Sequence, residues 1–279
     1  MRAGIAVIAF LAAVSIGAQE VVYVCPMDPD VRSSKPASCP RCGMKLRAGI
    51  PDPVEFPMDL ALTPRLVKPA QKTQLTFTVR DPWKGRPVVH FQEMHEKLFH
   101  LFVVSQDLRF FVHEHPTLLP NGSFRHEIAF PFAGMYRLLG DFYPDGATPQ
   151  LIAKTVIVPG PAQAAVTLGR DYSGKDAQNL RVELSTDPPE PVAHMPAVLY
   201  FRLTPAEGLE KYLGAWGHML AASDDLIDMI HQHPVVASGE RVDFSLVFPR
   251  ARTYRIWVQF QRNGVVNTVQ FDVPVKELR

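Results

Sequence analysis

From residue 74 to the C-terminus, apolar residues come in short runs broken at intervals by turn residues, and none of the runs holds an apolar stripe at the helical period. The runs predict strands at Gln74–Val79, Leu98–Val104, Leu108–Val112, Gly134–Phe142 and Ala153–Val158. A second series follows at Val198–Leu203, His218–Ala222, Leu226–Ile230, Tyr254–Gln261 and Val266–Val273. The pattern is that of a mostly β protein without helices.

The two series are copies of each other. His100, Ser105, Asp107, Leu108, His113, His115 and Pro116 align without gaps on His218, Ser223, Asp225, Leu226, His231, His233 and Pro234. The register continues through Phe130 on Phe248 and Tyr136 on Tyr254. Each copy has the length of one antiparallel β-sandwich, immunoglobulin-like or cupredoxin-like. Pro159, Gly160 and Pro161 read as the linker between them. The expected organisation is a signal peptide over 1–18, a cysteine-rich module over 19–50, one sandwich over 51–160 and a second over 161–279.

With 279 residues, 20% charged residues and a net charge of +1, the composition is that of ordinary globular domains. No basic stripe interrupts it, which excludes nucleic acid and acidic membrane surfaces as expected partners. At the N-terminus, Arg2, the apolar run Ile5–Ile16 and Ala18 have the order of an export signal. That run is too short to span a bilayer comfortably, so cleavage is expected over an uncleaved anchor. The expected location is periplasmic or secreted, with no membrane-spanning segment after cleavage.

All three cysteines lie in one short window: Cys25, Cys39 and Cys42, with Met27 and Met44 each two residues beyond a cysteine. Thiolates and thioethers are soft ligands that select copper(I) or zinc. An odd number of cysteines in an exported chain leaves a thiol over if Cys39 and Cys42 form a disulfide. A metal held by all three removes the leftover. The disulfide and a purely structural zinc knuckle stand as the alternatives.

The stretch Tyr23–Leu46 resembles the heavy-metal-binding module of copper-exporting P-type ATPases and metal-efflux adaptors, which shares its C-P-M-x-P and C-P-x-C-G-M motifs. The resemblance implies ligation by Cys25, Met27, Cys39, Cys42 and Met44, and a metal-efflux pump or adaptor as a partner. Where that family usually carries His, this chain has Asp28. A carboxylate ligand there would shift preference from copper(I) toward zinc. The two-copy part resembles exported bacterial proteins that join this module to sandwich repeats, which implies metal handling and brings no reaction with it.

The repeated histidines are the remaining candidates. A two-residue turn at Gln106-Asp107 places His100 opposite His113, with His115 on the same face and Asp107 bracing the turn. A turn at Asp224-Asp225 does the same for His218, His231 and His233. Three neutral imidazoles on a rigid sheet suit copper(II) or zinc, whereas a hydrogen-bonded corner is the competing reading. Met135 and Met219 are candidate axial thioethers, and His90, Met94, His95, His194 and Met195 are candidate weaker contacts. Asp224, Asp225 and Asp228 are expected to bias the second site toward divalent ions.

The leading expectation is a non-enzymatic exported copper-binding protein: a chaperone, buffer or resistance accessory. A copper-dependent redox enzyme with one metal per sandwich is the alternative, because no triad, paired carboxylates or phosphate loop supplies other chemistry. A structural or adhesive protein with structural zinc is the third reading.

Overall fold

Among the residues described (23–28, 31–49, 54–145, 147–161 and 163–278), every regular element of this computed structural model is a strand. The predicted signal peptide lies outside them.

Near the N-terminus, Tyr23–Val24 pairs with both Arg32–Ser33 and Arg47–Ala48 to make a miniature sheet. The first sandwich has one sheet of Met58–Thr63, Lys72–Val79, Ser123–Ala129 and Thr117–Leu118. Its other sheet is ordered Gln150–Val158, Gly134–Pro144, Phe99–Ser105 and Phe111–Glu114. The second sandwich repeats the plan, with Arg181–Asp187, Pro196–Thr204 and Arg241–Val247 facing Val265–Pro274, Thr253–Arg262, His218–Ser223 and Met229–Gln232. Alternate residues fill each interior: Leu75, Phe77, Phe99, Leu101, Val103 and Phe124 in the first, Leu199, Phe201, Phe244, Ile256, Val258 and Phe260 in the second.

Four strands of six or more residues escape the sequence reading, along with several of two or three: Met58–Thr63, Ser123–Ala129, Arg181–Asp187 and Arg241–Val247. Each mixes polar and charged residues with a buried face, so it shows no apolar run. Two predicted strands are displaced. Leu108–Val112 becomes Phe111–Glu114, and Leu226–Ile230 becomes Met229–Gln232, because the residues before them are spent on the turn. Leu108 (φ 60°) and Leu226 (φ 54°) occupy the left-handed region inside those turns. Asp107 accepts from the Ser105 hydroxyl, and Asp225 accepts from Ser223 at 2.6 Å, so the aspartates do brace the turns.

Phe99–Ser105 and His218–Ser223 are buried along their whole length. Their inward residues serve the two sandwich cores. Their outward residues meet across the molecule: Phe102 and Val104 join Leu139, Leu220, Ala222 and Trp257 in one cluster between the copies. Phe111 stacks on Trp257 at 4.9 Å and 7°. Arg255, paired with Asp272 at 2.7 Å, also donates to the Leu108 carbonyl of the first copy at 3.0 Å. A strand buried on both faces reads as unbroken apolar sequence, which is why these two runs are the plainest in the chain. The two sandwiches thus pack histidine hairpin against histidine hairpin.

Candidate metal centre

In the small module, Cys25 and Cys39 each sit at a tight turn whose following backbone reaches back to sulfur. The Asp28 N–H donates to Cys25 Sγ at 3.2 Å, and the Cys42 N–H donates to Cys39 Sγ at 3.5 Å. Gly43 (φ 79°) closes the second turn, where a side chain would be strained. The three thiols are free and buried, and Cys25 and Cys42 sulfurs stand 3.4 Å apart. One thiol hydrogen between them pulls Cys25 down to about 6 and pushes Cys42 up, while burial raises Cys39. One thiolate is therefore available at neutral pH before any metal arrives.

Asp28 completes this set. Its carboxylate accepts from Cys39 Sγ at 3.3 Å and from Arg41 at 3.1 Å, and one ligand atom from each of Cys25, Asp28, Cys39 and Cys42 lies within 4.8 Å of the others. Met44 is buried in the module core beside Leu46, Met94 and Tyr143, and Met27 is half-buried at its edge.

Each histidine hairpin gathers its triad as predicted, but with another register. Phe102 pairs with His113 and Leu220 with His231, so continuation of the ladder sets His100 against His115 and His218 against His233, not His100 against His113. The connection spans Gln106–Arg109, with the Ser105 N–H bonded to the Phe110 carbonyl, in place of two residues. The shift is even, so every side chain keeps its face. The face is the outward one, between the sandwiches, and not an end of either. His100, His113 and His115 bring ligand nitrogens within 4.8 Å of one another, as do His218, His231 and His233.

The hydrogen bonds fix which nitrogen is free. His100 Nε2–H donates to the Met94 carbonyl and His218 Nε2–H to the Tyr212 carbonyl, both at 2.9 Å, which leaves Nδ1 as a lone pair in each. His231 Nδ1–H donates to Asp141 at 2.6 Å and His113 Nδ1 meets the Gln259 side-chain oxygen at 2.7 Å, which leaves Nε2. His218 Nδ1 and the Nε2 atoms of His231, His233 and His115 are buried and have no partner. His100 Nδ1 and His113 Nε2 face each other at 3.0 Å, two lone pairs with no proton between them when both rings are neutral. Buried acceptors left in this state are costly, and a cation relieves all of them at once.

Burial sets the charge state. It lowers His100 to about 4 and His115 to about 3, and takes His113, His218 and His233 well below the ordinary value, with the neighbouring imidazoles adding to the effect. These rings stay neutral, as ligation requires. Their folded values lie below the unfolded value of 6.5, so between about pH 6.5 and 4 the unfolded chain binds more protons. The stability they lend is complete above 6.5 and lost on acidification. Chelator-treated protein should therefore unfold at lower denaturant concentration at pH 5 than at pH 7. An equal midpoint at both would contradict neutral burial.

Three residues beyond the two triads shape the centre. Asp141 and Gln259 occupy equivalent positions in the two copies, and each braces a histidine of the other copy. His95, expected to make a weak contact, sits in a tight turn (φ 46°), is 7% exposed, stacks on His233 at 3.6 Å and has an unpartnered Nε2. Burial lowers it to about 3. The second copy has Leu213 at that position. Met219 lies in the core of the second sandwich, on the face opposite His218, so it is no axial ligand. Met135 packs against the apolar cluster between the copies. Asp225 and Asp228 hold Arg250, and Asp224 holds Arg252 at 2.6 Å, so their charge is spent at the far end of the hairpin. The carboxylate at the second triad is Asp141, from the first copy.

A cavity of about 580 Å³ joins the cysteine set to the second triad, with Met27, Asp28, Arg41 and Cys42 on one side and Asp141, His231 and His233 on the other.

The family described as heavy metal binding domain matches residues 22–48. The family described as domain of unknown function (DUF8832) matches twice, at 55–159 and 175–277, and the chain belongs to it. No curated protein matches. Similar solved structures include the Escherichia coli adhesin FdeC, at 13% identity over 85% of this chain and 68% of that one, with a TM-score of 0.27. A two-domain fibronectin type III segment of chicken tenascin is 12% identical over 79% of this chain and all of that one, with a TM-score of 0.23. Likeness of that degree carries no weight for function.

Proposed function

We propose that this two-copy DUF8832 protein, led by its heavy metal binding domain, is an exported copper-handling protein that takes up the ion at its cysteines and stores or passes it on through its histidines. The observation that carries the reading is the set of buried, unpartnered imidazole nitrogens converging in two triads. Hydrogen-bonded corners would pair these atoms, and here they are aimed at one another.

The cysteine set suits a soft ion: three sulfurs close together, with one thiolate favoured in advance. Asp28 among them adds a hard ligand that zinc uses better than copper(I) does. The triads offer nitrogen to copper(II) or zinc. The cavity between module and second triad gives an ion a short way from sulfur to nitrogen without leaving the protein. His95, beside Met94 of the module core and stacked on His233, stands between the two sets. A role as chaperone, buffer or resistance accessory fits a thiol set that opens, at Cys42, on the cavity leading to a protected store, and a metal-efflux pump or adaptor is the expected recipient.

Metal analysis of the full chain after copper loading and gel filtration against a moderate chelator tests this. Three retained ions per chain are expected, one at the cysteines and one at each triad. Retention of zinc with exclusion of copper would overturn the choice of metal, and retention of no more than one ion would overturn the reading of the histidines.

A further inference from the structure

We propose, resting on that reading of the histidines, that the two triads are one dinuclear centre, shared between the copies and built to hold two copper ions with a small anion between them.

The spacing of the rings is the first argument. Within the triads, ring centroids stand between 4.5 Å (His231 to His233) and 5.9 Å (His218 to His231) apart. Four pairs between the triads come nearly as close: His113 to His218 is 5.5 Å, His100 to His231 5.8 Å, His100 to His218 5.9 Å and His113 to His231 6.2 Å. Two unrelated sites on separate domains would not interleave in this way.

The bracing is the second argument. Asp141 of the first copy orients His231 of the second, and Gln259 of the second orients His113 of the first. Neither triad has its ligand tautomers set without the other copy. Each first histidine is held by a carbonyl from a tight turn of its own copy, and those turns also meet, with Glu96 of one 3.5 Å from the Cβ position of Gly214 in the other. The centre is thus assembled by closure of the domain interface.

Charge identifies the third component. As ligands the six imidazoles add no charge, and among the described residues Asp141 alone contributes a carboxylate in hydrogen-bond contact with them. Two copper(II) ions this close repel each other strongly in a medium poorer in water than bulk solvent. A monoanion able to bridge them, of the size of azide or chloride, offsets that repulsion. The cavity along Asp141, His231 and His233 gives it a way in. Without an anion the second ion should bind more weakly than the first.

Electron paramagnetic resonance on the full-length chain tests this. Cys25, Cys39 and Cys42 are replaced with Ser so that no thiol captures or reduces copper(II). The wild-type chain with one zinc equivalent at its thiolates serves as a second sample. One copper equivalent should give an ordinary signal of one spin. Two should give a broadened signal with a half-field transition, and added azide should bring the integrated intensity below half of two spins. His231→Ala with His233→Ala should abolish the half-field transition. Two full, unbroadened spins unaffected by azide in both samples would overturn the pairing while leaving the triads as separate sites. Failure of both samples to retain copper at the histidines would overturn the pairing together with the reading on which it rests.

Discussion

Replacing Cys39 and Cys42 together with Ser should weaken copper(I) binding at the module on the order of 10⁴- to 10⁶-fold, since each of the two thiolates removed contributes roughly a quarter of a binding energy of 10–16 kcal/mol. The loss should be confined to the module. Neither sandwich core contains a residue of the cysteine set, so far-ultraviolet circular dichroism should keep its β signature. The module itself packs on Met94 and Tyr143, with Arg47 donating to the Tyr143 hydroxyl at 3.3 Å, so its docking should loosen. Competition with a chromogenic copper(I) chelator measures the effect. An affinity unchanged by the double substitution would remove the cysteines as the uptake site.

The second large effect should come from a residue that touches no metal. Asp141→Asn replaces the carboxylate that holds His231 Nδ1–H. Partners of this kind raise ligand basicity and fix the tautomer, and their loss typically costs about 10–100-fold in affinity. The deficit should appear at the triad of the second copy although Asp141 belongs to the first. Gln259→Ala should weaken the first triad, and by less, because a neutral amide contributes less than a carboxylate. Titration with zinc or copper(II), resolved by histidine resonances, separates the two triads. Equal losses at both, or a loss at the first triad on changing Asp141, would contradict the crossed bracing.

How much of this was legible beforehand varies with the physics behind each part. The strands that carry the histidines announce themselves because both faces are buried, one in a sandwich and the other against the second copy. The strands Ser123–Ala129 and Arg241–Val247 do not, because Arg125 and Glu127 are exposed on one face of the first and Arg241, Asp243 and Ser245 interrupt the apolar residues of the second. The histidine triads follow from parity: a turn of four residues in place of two moves the register by an even step and returns each imidazole to the expected face. Their meeting with each other does not follow, since it depends on how two domains pack. One signal was present all the same. The offset that carries His100 onto His218 carries Asp141 onto Gln259, two polar residues at buried positions of long strands. Likewise Asp28, at a position where the resembling module usually has His, proves to stand among the three sulfurs. His95 gave less warning. Its place against His233 comes from a tight turn that the spacing of residues does not reveal.

The asymmetry between the copies has a functional reading. The second triad has a carboxylate brace, an additional imidazole and the cavity to the cysteines; the first has an amide brace, and Leu213 holds the position equivalent to His95. On the proposed route, an ion leaving the module would meet the carboxylate-braced triad first.

Anomalous diffraction from crystals of the copper-loaded protein, recorded on both sides of the copper edge, tests the central claim most directly. We expect one peak about 2.0–2.1 Å from His100 Nδ1 and the Nε2 atoms of His113 and His115, and a second likewise placed among His218 Nδ1, His231 Nε2 and His233 Nε2. Copper bound elsewhere on the surface, with His100 and His113 still in direct contact and no peak between them, would contradict it.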